Sequence, residues 1–207
     1  MKRINLLVCF TGSVATIKDR ELIDALISTE RFNIRLVYTK YSEYFSTILK
    51  TNRDVYKNCE VILHEKEFEW KSLSDNVLHI DLKNWAESIL IAPLSANTLA
   101  KIANGFCDNT VTLVLRALKF KEGKIVIPVF LAPAMNTDMY NHPITQIQLD
   151  AVKKWGFGII HPIEKLLACK EVGIGAMETP EKIKNFLIEY FNKQTDGIVN
   201  PKNDIYV

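Results

Sequence analysis

The chain is short of the features that announce most site chemistries. Its 8 glycines never form G-x-G-x-x-G, so the dinucleotide fingerprint, whose glycines let backbone approach a pyrophosphate, is absent. No G-x-S-x-G elbow presents a hydrolase nucleophile. The 4 cysteines (Cys9, Cys59, Cys107, Cys169) have neither C-x-x-C spacing nor a regular framework. That argues against a disulfide scaffold and fits reduced thiols in the cytoplasm. No His, Cys and Asp spacing matches a zinc site, and no metal is expected. Net charge is +2 over 207 residues, with Lys and Glu interspersed, so neither nucleic acid nor a membrane surface is an expected partner. Leu6-Leu7-Val8-Cys9-Phe10 is too short to span a bilayer, is followed by no small-residue cleavage site, and reads as a first core strand.

What is present is an ordinary globular balance, 48% apolar and 24% charged residues, over a length that suits one α/β domain. Short apolar runs (Ile4–Phe10, 34–38, Ser88–Pro93, Ile125–Ala132 and Gly156–His161) alternate with segments whose apolar residues recur three and four apart. Those helical segments are Val14–Ile27, Glu43–Thr51, Ala96–Asn104, Thr110–Leu118, Ile144–Trp155 and Glu181–Phe191. Near-continuous apolar strands between helices predict a parallel sheet covered on both faces. The expected fold is three-layer α/β, Rossmann-like or flavodoxin-like, with a mainly parallel sheet. One domain is expected over residues 1–193, followed by a polar tail over 194–207.

In such sheets ligands bind at the carboxyl ends of the strands, and those ends carry the candidate residues. Thr11-Gly12-Ser13-Val14-Ala15 follows the first strand; it suits a phosphate-binding turn and a plain strand-to-helix turn equally. Thr39-Lys40-Tyr41-Ser42 follows the second, and Ser95-Ala96-Asn97-Thr98 follows Ser88–Pro93. Three strand ends rich in hydroxyls and amides together favour a phosphorylated planar ligand. Pro133-Ala134-Met135-Asn136 follows the next strand, and Leu167-Ala168-Cys169 runs on to Gly173-Ile174-Gly175-Ala176-Met177, a Gly-spaced segment expected to be mobile. An amide that holds a carboxylate and a thiol on a flap match a carboxylated thiol substrate.

His64, in a charged stretch, is expected to be solvated; His142 and His161 precede prolines in turns. His79 stands between apolar neighbours, where a hydrogen-bonded structural histidine is the simplest account. Cys9 and Cys59 read as inert small hydrophobes and Cys107 as a packing residue.

The run from Leu78-His79-Ile80-Asp81-Leu82 through Ala92-Pro93-Leu94-Ser95-Ala96-Asn97-Thr98 to Gly105-Phe106-Cys107-Asp108-Asn109, with Pro133-Ala134-Met135-Asn136 and the Cys169 segment, closely resembles the phosphopantothenoylcysteine decarboxylases. These belong to the homo-oligomeric flavin-containing cysteine decarboxylases, and the likeness spans about residues 4 to 190. It implies FMN-dependent decarboxylation of 4′-phospho-N-pantothenoylcysteine to 4′-phosphopantetheine in coenzyme A biosynthesis. It further implies a cytoplasmic homotrimer acting on a small molecule, with active sites between subunits.

By the same resemblance Gly12, Ser13 and Val14 form the first FMN-binding turn, and Thr39 with Ser42 the second. Ser95, Ala96, Asn97 and Thr98 form the third, with Ala134 beside the isoalloxazine ring. His79 matches the active-site histidine, Asn136 the amide on the substrate carboxylate, Ala168 and Met177 the flap over the substrate, and Cys169 its acid. Two departures stand out. Lys170-Glu171 follow Cys169 where the family usually has Gly-Asp, and Tyr140 stands in place of a Trp. Peptidyl-cysteine decarboxylases share the fold and the Asn motif. A peptidyl-cysteine decarboxylase is thus one alternative function, and a phosphatase-inhibitory or regulatory subunit of the same fold is another, though such relatives have degenerate sites and long acidic tails.

Overall fold

A strand covered on both faces of a sheet has to be dry along its whole length, and Ser88–Leu94 is buried at all seven positions. The computed structural model describes residues 2–51, 56, 59–69, 72, 75–166 and 172–195. Its strands are β1 (Ile4–Phe10), β2 (Phe32–Tyr38), β3 (Glu60–Ile62), β4 (Ser88–Leu94), β5 (Phe120–Lys121), β6 (Lys124–Ile125), β7 (Val129–Pro133), β8 (Gly158–Ile159), β9 (Ile163–Leu166) and β10 (Val172–Ala176). The α-helices are α1 (Asp19–Ile27), α2 (Lys40–Glu43), α3 (Thr47–Thr51), α4 (Leu78–Trp85), α5 (Ala96–Asn104), α6 (Thr110–Arg116), α7 (Thr137–Asn141), α8 (Pro143–Lys154) and α9 (Pro180–Thr195). Single 3-10 turns cover Val14–Lys18 and His64–Phe68.

Six strands form one parallel sheet in the order β3-β2-β1-β4-β7-β8. The chain winds outward from β1 in one direction and from β4 in the other. The order therefore reverses between these two strands, and a crevice opens past their carboxyl ends. Alternate residues of β1 serve opposite layers. Leu6, Val8 and Phe10 join a core with Leu22, Leu26, Ile183 and Leu187 from α1 and α9. Leu7 and Cys9 join another with Leu82, Leu99, Val114 and Val152 from α4, α5, α6 and α8. The three-layer α/β expectation is met, and burial pushes the Cys9 thiol well above its ordinary pKa.

Helix ends follow local chemistry. Ser95 caps α5, which stops at Gly105 in the left-handed region (φ 75). Asn109 and Thr112 close a capping box on α6. His142 caps α8, with Pro143 in its first turn.

Some expectations change. The apolar run Ile125–Ala132 is not one strand: Ile125 belongs to the β5–β6 hairpin, and sheet pairing resumes at Val129. Pro128 has no N–H for a ladder, though its carbonyl accepts from Ile89 N and Ser88 Oγ. Helix α4, the edge strand β3 and the antiparallel β9–β10 hairpin were not expected. Cys107 is exposed, with no packing role. Helix α9 runs to Thr195, and residues 196–207 of the expected tail lie outside the described residues.

One buried carboxylate ties the loops after β1 and β2 together. Asp19 is 1% exposed. Its Oδ1 accepts from Arg20 N (2.7 Å), Thr47 N (3.1 Å) and Thr47 Oγ1, and its Oδ2 from Tyr38 Oη (3.1 Å), Ser46 Oγ and Ile48 N (3.3 Å). A buried carboxylate is tolerable only when its lone pairs are taken up in this way. Asp19→Asn keeps the shape but turns an acceptor into a donor facing donors. It should lower the urea-unfolding free energy by about 2–4 kcal/mol with an unchanged m-value; a loss below about 1 kcal/mol would show that the network is dispensable.

Candidate active site

At the reversal point the strand ends are fastened to each other by side chains. Thr11 Oγ1, wholly buried, donates to Pro93 O (2.8 Å) and accepts from Ser95 N (2.8 Å). Ser13 Oγ donates to Ala134 O (3.1 Å), and Ala134 N to Leu94 O (2.9 Å). Thr39 N donates to Phe10 O (3.1 Å), and Ser42 Oγ to Thr39 O (2.7 Å). The ends of β1, β2, β4 and β7 thus form one hydrogen-bonded floor.

Two cavities open on this floor. The larger, about 530 Å³, is walled by Ser13, Val14, Ile17, Ala134, Met135 and Asn136 on the sheet side, and by Ile163, Leu166, Gly175 and Met177 from β9, β10 and the residue after it. Apolar groups dominate it, with Lys18 and Lys165 also on its wall. The smaller, about 310 Å³, is polar. Gly12, Thr39, Ser95, Asn97 and Thr98 line it together with Tyr41, His64 and Lys101. Gly12 stands where the two meet in the chain, and a Cβ there would lie 2.8 Å from Tyr41 Cβ. Only glycine lets these loops come so close.

Asn136 is held firmly. Its Oδ1 accepts from Asp138 N (2.8 Å) as the cap of α7, which fixes the amide on the wall of the larger cavity. In the smaller cavity Lys101 pairs with Asp108, and that hydrogen bond holds the Asp108 carboxyl below its ordinary pKa.

The structure therefore gathers Ser13, Val14, Ala134, Asn136 and Met177 around one cavity, and Gly12, Thr39, Ser95, Asn97 and Thr98 around the next. Ser42 is buried beneath Thr39, and Ala96 begins α5 without facing either space. His79, in the first turn of α4, is on neither wall; its Nδ1 lies 2.5 Å from Glu67 Oε1. Ala168 and Cys169 lie outside the described residues.

The chain matches the flavoprotein family over residues 1–192. It is 42% identical over 182 residues to phosphopantothenoylcysteine decarboxylase of Oryza sativa, covering 86% of this chain and 76% of the relative. It belongs to the phosphopantothenoylcysteine decarboxylase family. Among solved structures it resembles a PPC decarboxylase cysteine-to-serine mutant complexed with pantothenoylaminoethenethiol, with TM-score 0.82, 38% identity, and 92% and 100% of the two chains covered. It also resembles the FMN-binding protein AtHal3, with TM-score 0.79, 40% identity, and 93% and 99% covered.

Residue reading missed part of the wall. Lys101 stands one helical turn after Asn97 on α5, a spacing that placed it in reach of the same space. His64, expected in solvent, lines the smaller cavity with its Nδ1 2.7 Å from Glu43 Oε1. Nothing local marked Ile163 or Lys165, because β9 is defined only by its pairing with β10.

The glycines of the flap also read differently in the fold. A Cβ at Gly173 would lie 2.3 Å from Thr137 Oγ1, and one at Gly175 (φ +143) would lie 2.3 Å from Met135 O. Met135 N donates to Gly175 O (3.0 Å). These glycines serve close backbone packing of β10 on the Asn136 segment, not looseness. Gly175→Ala should loosen that seat by about 2 kcal/mol, which makes limited proteolysis within residues 163–176 about thirtyfold faster. An unchanged cleavage rate would overturn the packing role.

Proposed function

We propose that this protein decarboxylates 4′-phospho-N-pantothenoylcysteine to 4′-phosphopantetheine with FMN, a step of coenzyme A biosynthesis. The observation that carries the reading is the apolar cavity in which Ser13, after β1, and Ala134 and Asn136, after β7, face Met177 and the β10 flap. Its polar neighbour supplies the hydroxyls and the close glycine turn that a phosphate and a ribityl chain require. The residues on the two walls fit FMN: Gly12, Ser13, Val14, Thr39, Ser95, Asn97, Thr98 and Ala134 would hold it, with Ser42 supporting Thr39 from behind and Ala96 opening the helix that carries Asn97 and Thr98. Bound FMN would supply a two-electron acceptor for the substrate thiol and return the electrons after CO₂ is lost.

The chain's own residues do the rest. The Asn136 amide, held by its cap on α7, orients the substrate carboxylate. Met177, 5% exposed, and Ala168 cover the substrate and keep water out. His79 receives or balances the proton of the substrate thiol. Cys169 donates the proton that completes the product, a task for which a thiol is a far better acid than a hydroxyl.

The same reading includes a homotrimer. His79 stands away from both cavities, and its flanking Val77 and Ile80 are 43% and 36% exposed. An apolar rim around a histidine suits a subunit boundary that brings it to a neighbour's cavity. A cytoplasmic location, a domain over residues 1–193 and a tail over 194–207 complete the proposal. Reduced Cys9, Cys59 and Cys107 agree with that location.

The purified protein should be yellow with an FMN spectrum that phosphopantothenoylcysteine bleaches. Asp caps a helix as well as Asn does, so Asn136→Asp should stay folded and yellow. It should nevertheless bleach at least about 100-fold more slowly, because an anion now faces the substrate carboxylate. Wild-type bleaching rates in that variant would remove Asn136 from the site. Activity on cysteine-ended peptides alone would replace the substrate assignment.

A separate outcome is expected for Cys169→Ser, because a hydroxyl is a far weaker acid than a thiol. Single-turnover CO₂ release should survive, while steady turnover falls at least about 100-fold. Full turnover would remove Cys169 from its acid role.

A further inference from the structure

Outside the cavity walls, one buried acid has a single partner. Glu67, in the 3-10 turn His64–Phe68, has a side chain only 6% exposed. Its Oε1 lies 2.5 Å from His79 Nδ1, while Oε2 is buried without a hydrogen-bond partner among the described residues. A carboxylate so removed from water is expensive to keep unless something offsets its charge, and the imidazole is what it touches. The contact between His64 and Glu43 is of a different kind. Glu43, beside His64, is 24% exposed, and its Oε1 also accepts from the His64 backbone N–H (3.3 Å).

We infer that Glu67 is a positioning residue for His79, and this rests on the catalytic reading of His79 above. A carboxylate accepts only, so the proton on the imidazole belongs at Nδ1. Nε2 is left with the lone pair, pointed away from Glu67. When the substrate thiol gives up its proton, the S–H bond breaks, an N–H bond forms at Nε2, and the imidazolium charge falls beside the Glu67 carboxylate. His79 is the second residue of α4, and its Nδ1 contact with the buried Glu67 carboxylate holds the ring in one attitude. The arrangement follows the general logic in which a buried acid sets the tautomer and attitude of a histidine base.

The decisive comparison uses the full-length FMN-loaded protein, with Glu67→Gln, His79→Asn and the double variant. Glu67→Gln should keep its yellow colour and slow substrate-dependent bleaching about 10- to 100-fold. In the His79→Asn background the same change should add nothing, since Glu67 acts through the ring. If His79→Asn bleaches at the wild-type rate, the catalytic reading of His79 fails. If His79→Asn is inactive and Glu67→Gln is fully active, only the role of Glu67 fails. A further loss in the double variant would likewise overturn the inference, since Glu67 would then act independently. Nitrogen-15 spectra of wild-type protein labelled at histidine need no variant: the His79 signals should show the proton on Nδ1, and a proton on Nε2 with a bare Nδ1 would refute the inference.

Discussion

The site depends on one buried hydroxyl. Thr11 Oγ1 reaches across the point where the strand order reverses, donating to Pro93 O and accepting from Ser95 N. Parallel neighbours are paired along their length by backbone, but past their ends nothing in sheet geometry keeps two loops in step. Thr11 supplies that link, and Ser13 and Ala134 extend it to the end of β7. Every wall residue drawn from the loops after β1, β4 and β7 takes its place from this lattice. An apolar cavity with a few well-placed polar groups is its consequence.

The flap is built by the complementary device. Where the floor uses hydroxyls to hold loops together, β10 uses the absence of side chains. Gly173 and Gly175 bring its backbone against Thr137 and Met135, and the Gly175 carbonyl takes the Met135 N–H. The residue that binds and the strand that covers it are therefore fastened to one another. Met177 reaches its buried position on the cavity wall from the end of this strand.

Much of this was legible before any fold was known. Ile4–Phe10 and Ala96–Asn104 were read with the bounds they have, because continuous burial and a Ser cap with a Gly stop are local signals. The strand-end turns were legible for the same reason. Helix α4 was not: it carries no side-chain cap at its start, so no local signal marks where it begins. The run through Pro128 misled because apolarity alone does not reveal that a proline has withdrawn its N–H from a ladder. The flap glycines misled in another way. Sequence registers a missing side chain and not the neighbour that requires it to be missing.

By itself, then, the sequence determined the layered α/β class, the elements whose signals are local, and the identity of the residues offered at strand ends. The tertiary structure decided their grouping: Ser13, Ala134 and Asn136 around one cavity, Gly12, Ser95 and Asn97 around another, and His79 away from both beside Glu67. The physical reason is range. Caps, turns and burial patterns are settled within a few residues, whereas a contact such as Ser13 with Ala134 spans 121 positions and exists only once the sheet has set its strand order.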